Sequence, residues 1–498
     1  MAQLKLGETP PPKFIPSKYQ EGVFDFVKNE KGNGIINAVA GSGKTTTILK
    51  SLSFIPKDKK VVFCAFNKHI ADNLKSKVPE NVWATTIHGA GYRTLRISGY
   101  NPIVLKHKQE EIIDQVLRID KVKLNSLCRG RYHYEDVEDE LLYPVRNAVN
   151  MMKASMLPET SESIEYITDF YDIYVGDNKP LFDFLVQRSM QVSLLQKKVI
   201  DFYDMVWMPL KLKLYVPQYD FVFIDELQDL NKMQIEFALK MKKADGRIIG
   251  VGDPAQSLYG FMGASTEAME HTTEVLDATT LPLSISYRCP VGHVKMAQKY
   301  VPYIEHSPTA IEGKIHYIDG ANFLDVVHPG DMVICRNNAP LIDFAFEALD
   351  KGYKVNIRGR DLGHGLINIV KKGKVKTIPE LLPKLEKWKE FEMQKAVEEK
   401  RNPARIEDKY KVLTLMCSKV KTTSELIAYI QKLFSDENEE IVFSSIHRAK
   451  GLEADRIFII KFGLIPNKWA RQDWELQQER NCAYVALTRA KKELYFVE

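Results

Sequence analysis

Short, nearly continuous apolar runs alternate with helical patterns through the first third of the chain and again after residue 212. The runs lie at residues 34–39, 61–66, 82–87, 221–224 and 248–251. Runs of this length, separated by helices, are typical of parallel strands that are buried on both faces. We therefore predict a parallel sheet covered by helices, with a helix beginning near Lys44 directly after the first strand.

A second alternating region begins near residue 281. Its predicted strands lie at residues 332–335, 442–446, 456–460 and 493–497. Two stretches that are rich in charged and helix-forming residues interrupt the alternation, and each predicts a helical insertion in an α/β unit. The predicted boundaries are 1–98 and 213–280 for the first unit, 99–212 for its insertion, 281–360 and 441–498 for the second unit, and 361–440 for its insertion.

The two insertions differ in their patterns. The first is expected to contain amphipathic helices at 105–119 and 186–202. In the second, Leu385, Trp388 and Phe391 recur at helical spacing among Lys and Glu. That spacing is typical of a surface helix with one packed face.

The bulk composition fits an intracellular protein of several domains. A chain of 498 residues suggests two to four domains, and 45% apolar with 27% charged residues is ordinary for globular protein. No apolar stretch reaches the roughly 18 residues that cross a bilayer, and the N-terminus lacks the apolar core of a signal peptide. Six scattered cysteines form no Cys-x-x-Cys pair, which argues for a reducing, cytoplasmic compartment. A net charge of +5 is too small by itself to indicate nucleic acid.

A glycine-rich loop joins the first strand to its helix, and residues 38–45 spell A-V-A-G-S-G-K-T. Glycines let the backbone turn tightly and bring N–H groups onto phosphate oxygens, and the helix N-terminus attracts the same anion. The loop predicts a triphosphate site, although the first position of the general pattern is Ala38 rather than Gly. The alternative is a small-residue turn followed by a chance Lys-Thr. The residues expected to bind the phosphates are Ala40, Gly41, Ser42, Gly43, Lys44, Thr45 and Thr46.

Two adjacent carboxylates, Asp225 and Glu226, follow the apolar run at 221–224. The carboxyl end of such a strand lies beside the phosphate loop in a parallel sheet. We expect Asp225 and the Thr45 hydroxyl to hold Mg²⁺, partly through water, and Glu226 to activate the attacking water. Two acids after a strand, taken alone, are more often a solvated strand end or a helix cap.

Several segments, taken in order, resemble the UvrD/Rep-like superfamily 1 DNA helicases. They are Gln20 in F-I-P-S-K-Y-Q, A-G-S-G-K-T, F-C-A-F-N-K (63–68), T-T-I-H-G (85–89), I-D-E-L-Q-D-L-N (224–231), V-G-D-P-A-Q-S-L-Y-G-F (251–261), S-Y-R (286–288), I-H-R-A-K-G-L-E (446–453) and Y-V-A-L-T-R-A (484–490). Each segment alone is a weak to moderate signal, whereas the ordered set is specific and covers most of the chain. The resemblance implies an α/β fold of two RecA-like parallel-sheet domains with helical insertions.

The resemblance also implies residue roles in a cleft that binds ATP between the two domains. Gln20 would recognise adenine, Tyr287 would stack on it, Glu453 would contact the ribose, Gln256 would sense the γ-phosphate, and Arg288 and Arg489 would reach that phosphate from the second domain. Lys44, Asp225 and Glu226 complete the catalytic set. The implied single-strand contacts are Phe66, Asn67, Thr86, His88, Tyr259, Phe261 and His447. The alternative for Phe66 is packing in the core, and the alternative for His88 is a hydrogen bond to nearby backbone.

The sequence departs from the family pattern at three positions. Met262 stands where the family has arginine, Ser286 replaces asparagine, and Ser445 replaces threonine but keeps the hydroxyl. The short spacing between Arg288 and Ile446 also implies a small second insertion. Such a compact layout suits a phage or accessory helicase, and the expected location is the cytoplasm of a bacterial cell or a phage-infected host.

The leading hypothesis is an ATP-dependent DNA helicase that moves along single-stranded DNA, in the family's usual 3′–5′ direction. The expected partners are single-stranded DNA, duplex junctions and single-strand-binding, replication or recombination proteins, with no membrane contact. Three alternatives stay open: a translocase that mainly strips proteins or recombination filaments, an ATP-gated nucleic-acid-binding switch, and an enzyme that acts on RNA.

Overall fold

A computed structural model describes residues 14–130, 132–171, 173, 175, 178–258, 268–398, 403–434 and 440–498. Over these residues, the chain forms two parallel six-stranded sheets, which are referred to here as the first and second halves. The predicted α/β class is confirmed. No described helix has both the length and the apolar content that a membrane span requires.

The first sheet has the strand order β3-β2-β6-β7-β1-β8, with every pair parallel. Its strands are β1 Gly34–Ala38, β2 Val61–Cys64, β3 Val82–Thr85, β6 Tyr219–Ile224, β7 Lys242–Gly252 and β8 Thr279–Leu283. Strand β2 is buried along its whole length, as expected for a strand that is covered by helices on both faces. Strand β8 pairs with β1, so the first sheet continues past the predicted boundary at residue 280.

The second sheet repeats this design with the order β11-β16-β15-β12-β14-β13, again fully parallel. Its strands are β11 Lys314–Ile318, β12 Met332–Cys335, β13 Val355–Ile357, β14 Ile441–Ser445, β15 Ala454–Ile460 and β16 Ala490–Val497. Two short parallel pairs lie outside the large sheets: β4 Ile103–Val104 with β5 Val199–Ile200, and β9 Ile285–Ser286 with β10 Glu305–His306.

Helices connect the strands of both halves. Those of the first half are α1 Lys18–Asn29, α2 Lys44–Ser51, α3 Lys68–Leu74, α4 Ile87–Ile97, α11 Lys232–Met241 and α12 Ala268–Leu276. Those of the second half are α13 Val291–Ala297, α14 Phe323–Val326, α15 Asn338–Asp350, α20 Ile446–Ala449 and α21 Asp473–Leu487. The first insertion contains α5 Lys108–Ile119, α6 Lys121–Leu127, α7 Tyr134–Ser155, α8 Ser161–Phe170, α9 Lys179–Leu195 and α10 Asp204–Lys211. The second contains α16 Arg360–Lys372, α17 Ile378–Glu398, α18 Ala404–Cys417 and α19 Thr423–Leu433.

Two helix predictions need correction. The helix predicted at 186–202 is α9, which begins earlier because the Asn178 side chain accepts the N–H of Leu181 and Pro180 occupies its first turn. It ends at Leu195, and Val199–Ile200 pairs instead with Ile103–Val104. In α17, Leu385 is buried, but Phe391 is 64% exposed and does not belong to the packed face.

A buried charge network holds the helices of the first insertion together. Asp204 accepts Lys108 Nζ at 2.6 Å and Lys153 Nζ at 2.7 Å, and the hydroxyl of Ser193 also bonds to it. These residues join α5, α7, α9 and α10. Helix α10 packs so closely on α4 that a Cβ on Gly91 would lie 2.2 Å from the carbonyl oxygen of Met205. The network therefore holds α10, the helix through which the insertion packs on α4, against the other helices of the insertion.

The variant Asp204→Ala would leave two lysines buried without their shared carboxylate. Breaking one side of a buried ion pair costs about 3–5 kcal/mol, and we expect a loss of stability of that order in urea denaturation. The matched control is Lys75→Ala, since the Lys75–Asp72 pair lies on the surface and should contribute little. Equal stability of the two variants would contradict the assignment.

Candidate nucleotide-binding site

The glycine-rich loop follows directly from β1 and leads into α2. Gly41 and Gly43 have φ values of +71° and +77°, a region that side chains rarely occupy. Space also demands glycine at position 41, because a Cβ there would lie 2.5 Å from Cβ of Arg288. The buried hydroxyl of Ser42 has no hydrogen-bond partner among the described residues. An unfilled donor within such a loop fits an anion. Thr45 is half-buried and Thr46 is exposed.

Lys44 lies among carboxylates. Its Nζ is 3.1 Å from Oε2 of Glu226, with 12% and 22% of the two side chains exposed. Burial by itself lowers the pKa of Lys44, but the negative charges of Glu226, Asp253 and Asp225 outweigh it and raise the pKa. Lys44 is therefore a fixed positive charge at the mouth of the loop.

Asp225 and Glu226 directly follow the carboxyl end of β6, as the sequence predicted from the apolar run. Burial, reinforced by the charge of Glu226, raises the pKa of Asp225. Burial also opposes ionisation of Glu226, but Lys44 and Lys450 outweigh it and lower the pKa of Glu226. Glu226 has φ +53°, a strained value for a residue other than glycine. Strain of this kind persists where the surroundings hold the residue, and it is common at functional sites.

Around Lys44, the site has more carboxyl groups than positively charged side chains. Asp225, Glu226, Asp229 and Asp253 all interact electrostatically with Lys44. Burial raises the pKa of Asp229 to about 6. A divalent cation beside Asp225 would relieve this imbalance, so the residues fit Mg²⁺. No three His, Cys, Asp or Glu side chains of the described chain form a ready-made cage, whereas Mg²⁺ usually keeps several waters and takes one or two carboxylates.

A chain of hydrogen bonds joins the loop to the second half. The buried Tyr484 hydroxyl accepts the N–H of Ala40 at 2.9 Å and donates to Oδ2 of Asp253 at 3.3 Å. Gln256 Nε2 donates to the same carboxylate oxygen at 2.6 Å. Gln256, the predicted γ-phosphate sensor, thus connects to both halves through Asp253.

The two predicted arginines lie close to each other, because Arg288 donates to the carbonyl oxygen of Thr488 and Arg489 donates to its hydroxyl. Burial and the positive charge of Arg288 lower the pKa of Arg489. Arg288 lies beside Gly41, and its Nε donates to Glu453 at 2.6 Å. Arg489 is almost fully buried and donates to the carbonyl oxygens of Val485 and Leu452. Both cations are engaged within the second half in this state.

The predicted adenine contacts have different surroundings. Tyr287 is 48% exposed, and its N–H donates to the carbonyl oxygen of Gly41 at 2.9 Å. Its ring is accessible beside the loop. Gln20 is buried, accepts the N–H of Ser17 in a capping box and donates to Thr47 Oγ1 at 3.0 Å. Gln20 therefore links α1 to α2 in this state.

The residues predicted to contact single-stranded DNA occur in both halves. Phe66 is 41% exposed rather than part of the core, and the Asn67 and Thr86 side chains cap α3 and α4. The ring of His88 makes an edge contact with Phe202 at 6.2 Å between centroids, and burial lowers the pKa of His88. His447 Nε2 lies 3.6 Å from Sγ of Cys482. Tyr259 and Phe261, like Met262, lie outside the described residues.

Three residues of this region had no role in the sequence analysis. Phe202, 54% exposed, extends the aromatic surface beside His88. Tyr484 carries the bond to Ala40, and Lys450 Nζ lies 2.5 Å from Oδ2 of Asp229 across the two halves. Tyr484 and Lys450 belong to the quoted motifs 484–490 and 446–453, so the motifs marked the segments but not these contacts.

Comparison with known proteins decides the family. The UvrD/REP helicase N-terminal domain matches residues 21–276, and the UvrD-like helicase C-terminal domain matches residues 345–498. The chain belongs to the UvrD/REP helicase family. The resemblance predicted from the ordered motifs is confirmed.

Curated relatives of the UvrD/REP helicase family share low identity with this chain. F-box DNA helicase protein 1 of Schizosaccharomyces pombe is 24% identical over 92% of this chain and 55% of its own length. DNA helicase II of Haemophilus influenzae is 23% identical over 54% of this chain and 38% of its own length. ATP-dependent DNA helicase PcrA of Staphylococcus aureus is 23% identical over 53% of this chain and 37% of its own length. The chain thus spans about half or less of these relatives. An arterivirus helicase structure matches 97% of this chain and 61% of its own at 12% identity and a TM-score of 0.34, which supports no structural argument.

Tyr484→Phe would remove the hydroxyl that joins Ala40 to Asp253. The buried N–H of Ala40 would lose its acceptor, and an unsatisfied buried group costs about 1–3 kcal/mol. We expect a corresponding decrease in resistance to urea. Tyr317→Phe is a suitable control because Tyr317 is 73% exposed. Unchanged unfolding of Tyr484→Phe would show that this bond adds nothing to the contact between the halves.

Proposed function

We propose that this chain is an ATP-dependent DNA helicase that moves along single-stranded DNA and separates duplexes. The observation that carries the proposal is the Lys44–Glu226 pair, 3.1 Å apart at the end of a strained strand-to-loop turn. Arg288 of the second half lies against the same loop. A hydrolytic carboxylate held by the phosphate-binding lysine is poised for release when a triphosphate arrives.

Bound ATP would replace Glu226 as the partner of Lys44. Its phosphates would take the N–H groups of residues 41–45 and Lys44 Nζ, because the loop and the N-terminus of α2 attract an anion. Glu226 would then be free to orient and deprotonate the attacking water. Mg²⁺, when bound at Thr45 and Asp225, would neutralise charge on the phosphates. Tyr287 would stack on adenine, with Gln20 close by at the start of α1.

Cations of the second half would complete the site. Arg288 would leave Glu453 for the γ-phosphate, and Glu453 would become available to the ribose. Arg489 lies next to Arg288 and would add a second positive charge when the halves close. Charge that builds up during phosphoryl transfer is stabilised most by cations held in place beforehand. Closure would then depend on bound ATP, and hydrolysis would release it.

The single strand would cross both halves. Phe66, Phe202 and His88 supply rings on which bases stack, worth about 1–3 kcal/mol each and without sequence preference. Asn67, Thr86 and His447 would contact the strand alongside them, and Tyr259 and Phe261 are proposed as further contacts. Alternate closure and opening would move the strand between halves, in the proposed 3′–5′ direction, into duplex junctions.

The deciding experiment measures ATP turnover with and without single-stranded DNA, then unwinding of duplexes with a 3′ or a 5′ tail. We expect DNA-stimulated turnover and unwinding from the 3′ tail. Matched RNA oligonucleotides test the substrate class, because nothing among the proposed contacts selects a 2′-hydroxyl. DNA-independent turnover without unwinding would refute the proposal.

Lys44→Ala should remove the positive charge that the terminal phosphates require. We expect turnover to decrease by about 10²–10³-fold, the usual effect of deleting a charge-stabilising donor. Lys50→Ala is the control, since Lys50 lies exposed on the same helix. Unchanged turnover in Lys44→Ala would refute the site.

Glu226→Gln should separate binding from chemistry. The amide keeps the shape of the side chain but cannot accept a proton, so we expect ATP binding to persist and turnover to decrease by about 10²–10⁴-fold. Fluorescent-nucleotide titration and single-turnover hydrolysis measure the two effects. Normal hydrolysis would exclude Glu226 as the base.

A further inference from the structure

One short segment of the second half, residues 446–453, carries three side chains with three different partners. His447 lies against Cys482, Lys450 contacts Asp229 of the first half, and Glu453 holds Arg288. Helix α20 is one turn long, and its Ile446 and Ala449 are fully buried. The three contacts therefore lie within eight consecutive residues anchored by a buried helical turn.

The Lys450–Asp229 contact is the point at which this segment reaches the first half. Lys450 Nζ lies 2.5 Å from Oδ2 of Asp229, and the two side chains are 7% and 1% exposed. Breaking a buried pair by moving one partner leaves an uncompensated charge out of water. The two segments are thus constrained to move together while the pair persists.

Asp229 leads directly to the hydrolytic carboxylate. Its N–H donates to the carbonyl oxygen of Glu226 at 3.0 Å, within the tight turn Leu227–Asp229. Glu226 begins this turn with its strained φ of +53°, a conformation that depends on its neighbours. Gln228, inside the turn, donates to Glu226 Oε2 at 2.5 Å and accepts the N–H of Asp253. Moving Asp229 would therefore reorient Glu226.

We propose that Lys450 and Asp229 are positioning residues that transmit strand binding at His447 to the orientation of Glu226. The inference rests on the proposed function, since it requires a strand at His447 and ATP at the glycine-rich loop. A strand that moves His447 shifts the segment, Lys450 moves Asp229, and the turn sets Glu226. Stimulation of turnover by DNA then passes through this ion pair.

A purely structural ion pair would have a different signature. Its loss would lower stability and would reduce basal and DNA-stimulated turnover by the same factor. A transmitting pair changes the ratio of the two rates, because coupling between two sites is a separate free energy from either site's own affinity. The ratio of stimulated to basal kcat is therefore the decisive quantity.

The experiment compares Lys450→Met, Asp229→Asn and the double variant, with an oligothymidylate as the strand. We expect the stimulation ratio to decrease about tenfold, within the usual range for coupled sites, with KM for ATP changed less than about twofold. Lys450→Arg keeps the charge and should retain stimulation. The double variant should be no worse than either single variant, as expected for two members of one unit. It also removes both buried charges, which keeps the test possible if a single variant does not fold.

Lys243→Met is the matched control, because Lys243 pairs with Asp220 within the first half, at the opposite end of β6 and β7. Its stimulation ratio should equal that of the wild type. Wild-type stimulation in the folded Lys450 and Asp229 variants, or equal loss of basal and stimulated turnover, would overturn the inference. A wild-type protein that does not respond to the oligothymidylate refutes the proposed function first, and the inference fails with it.

Discussion

The structure depends on one electrostatic constraint: a surplus of buried carboxylates at the carboxyl end of the first sheet. Asp225, Glu226, Asp229 and Asp253 cannot all ionise in a low-dielectric site without cations nearby. Lys44 of the loop and Lys450 of the second half supply the compensating positive charges. The same surplus suits a site for a metal-bound triphosphate. Because one of these cations belongs to the opposite half, the charge compensation also stabilises the contact between the halves.

The contact between the halves combines an apolar cluster, in which Val39 and Ala40 pack with Cys289 and Val294, with directional polar bonds beside the glycine-rich loop. Tyr484 joins Ala40 to Asp253, and Arg288 lies against Gly41. Hydrogen bonds and ion pairs of this kind have discrete arrangements, so a ligand that offers better partners can switch them. Arg288 is bound to Glu453 in this state, so an incoming phosphate would compete with Glu453 for Arg288.

The first insertion connects with both halves. Its buried Lys108–Asp204–Lys153 network joins α10 to α5 and α7. Helix α10 in turn packs on α4, the helix capped by Thr86, and Phe202 contacts His88. At its other side, Phe170 stacks on Trp474 of α21, with centroids 6.5 Å apart. The aromatic surface proposed for single-stranded DNA thus combines Phe66 and His88 of the first half with Phe202 of the insertion.

The sequence by itself determined nine of the twelve strands of the two described six-stranded sheets, the glycine-rich loop and the carboxylates after β6, because each depends on local periodicity or on the backbone freedom of glycine. Strands β8, β11 and β13 were not predicted. The bounds predicted for the helix at 186–202 were wrong, and Phe391 was wrongly assigned to a packed face. Short apolar runs and helical spacing do not specify which neighbouring element will cover a side chain. Only the tertiary structure decided the pairing of Lys450 with Asp229 and of Tyr484 with Ala40. These partners lie more than 200 residues apart, and packing of the two sheets, not local pattern, brings them together.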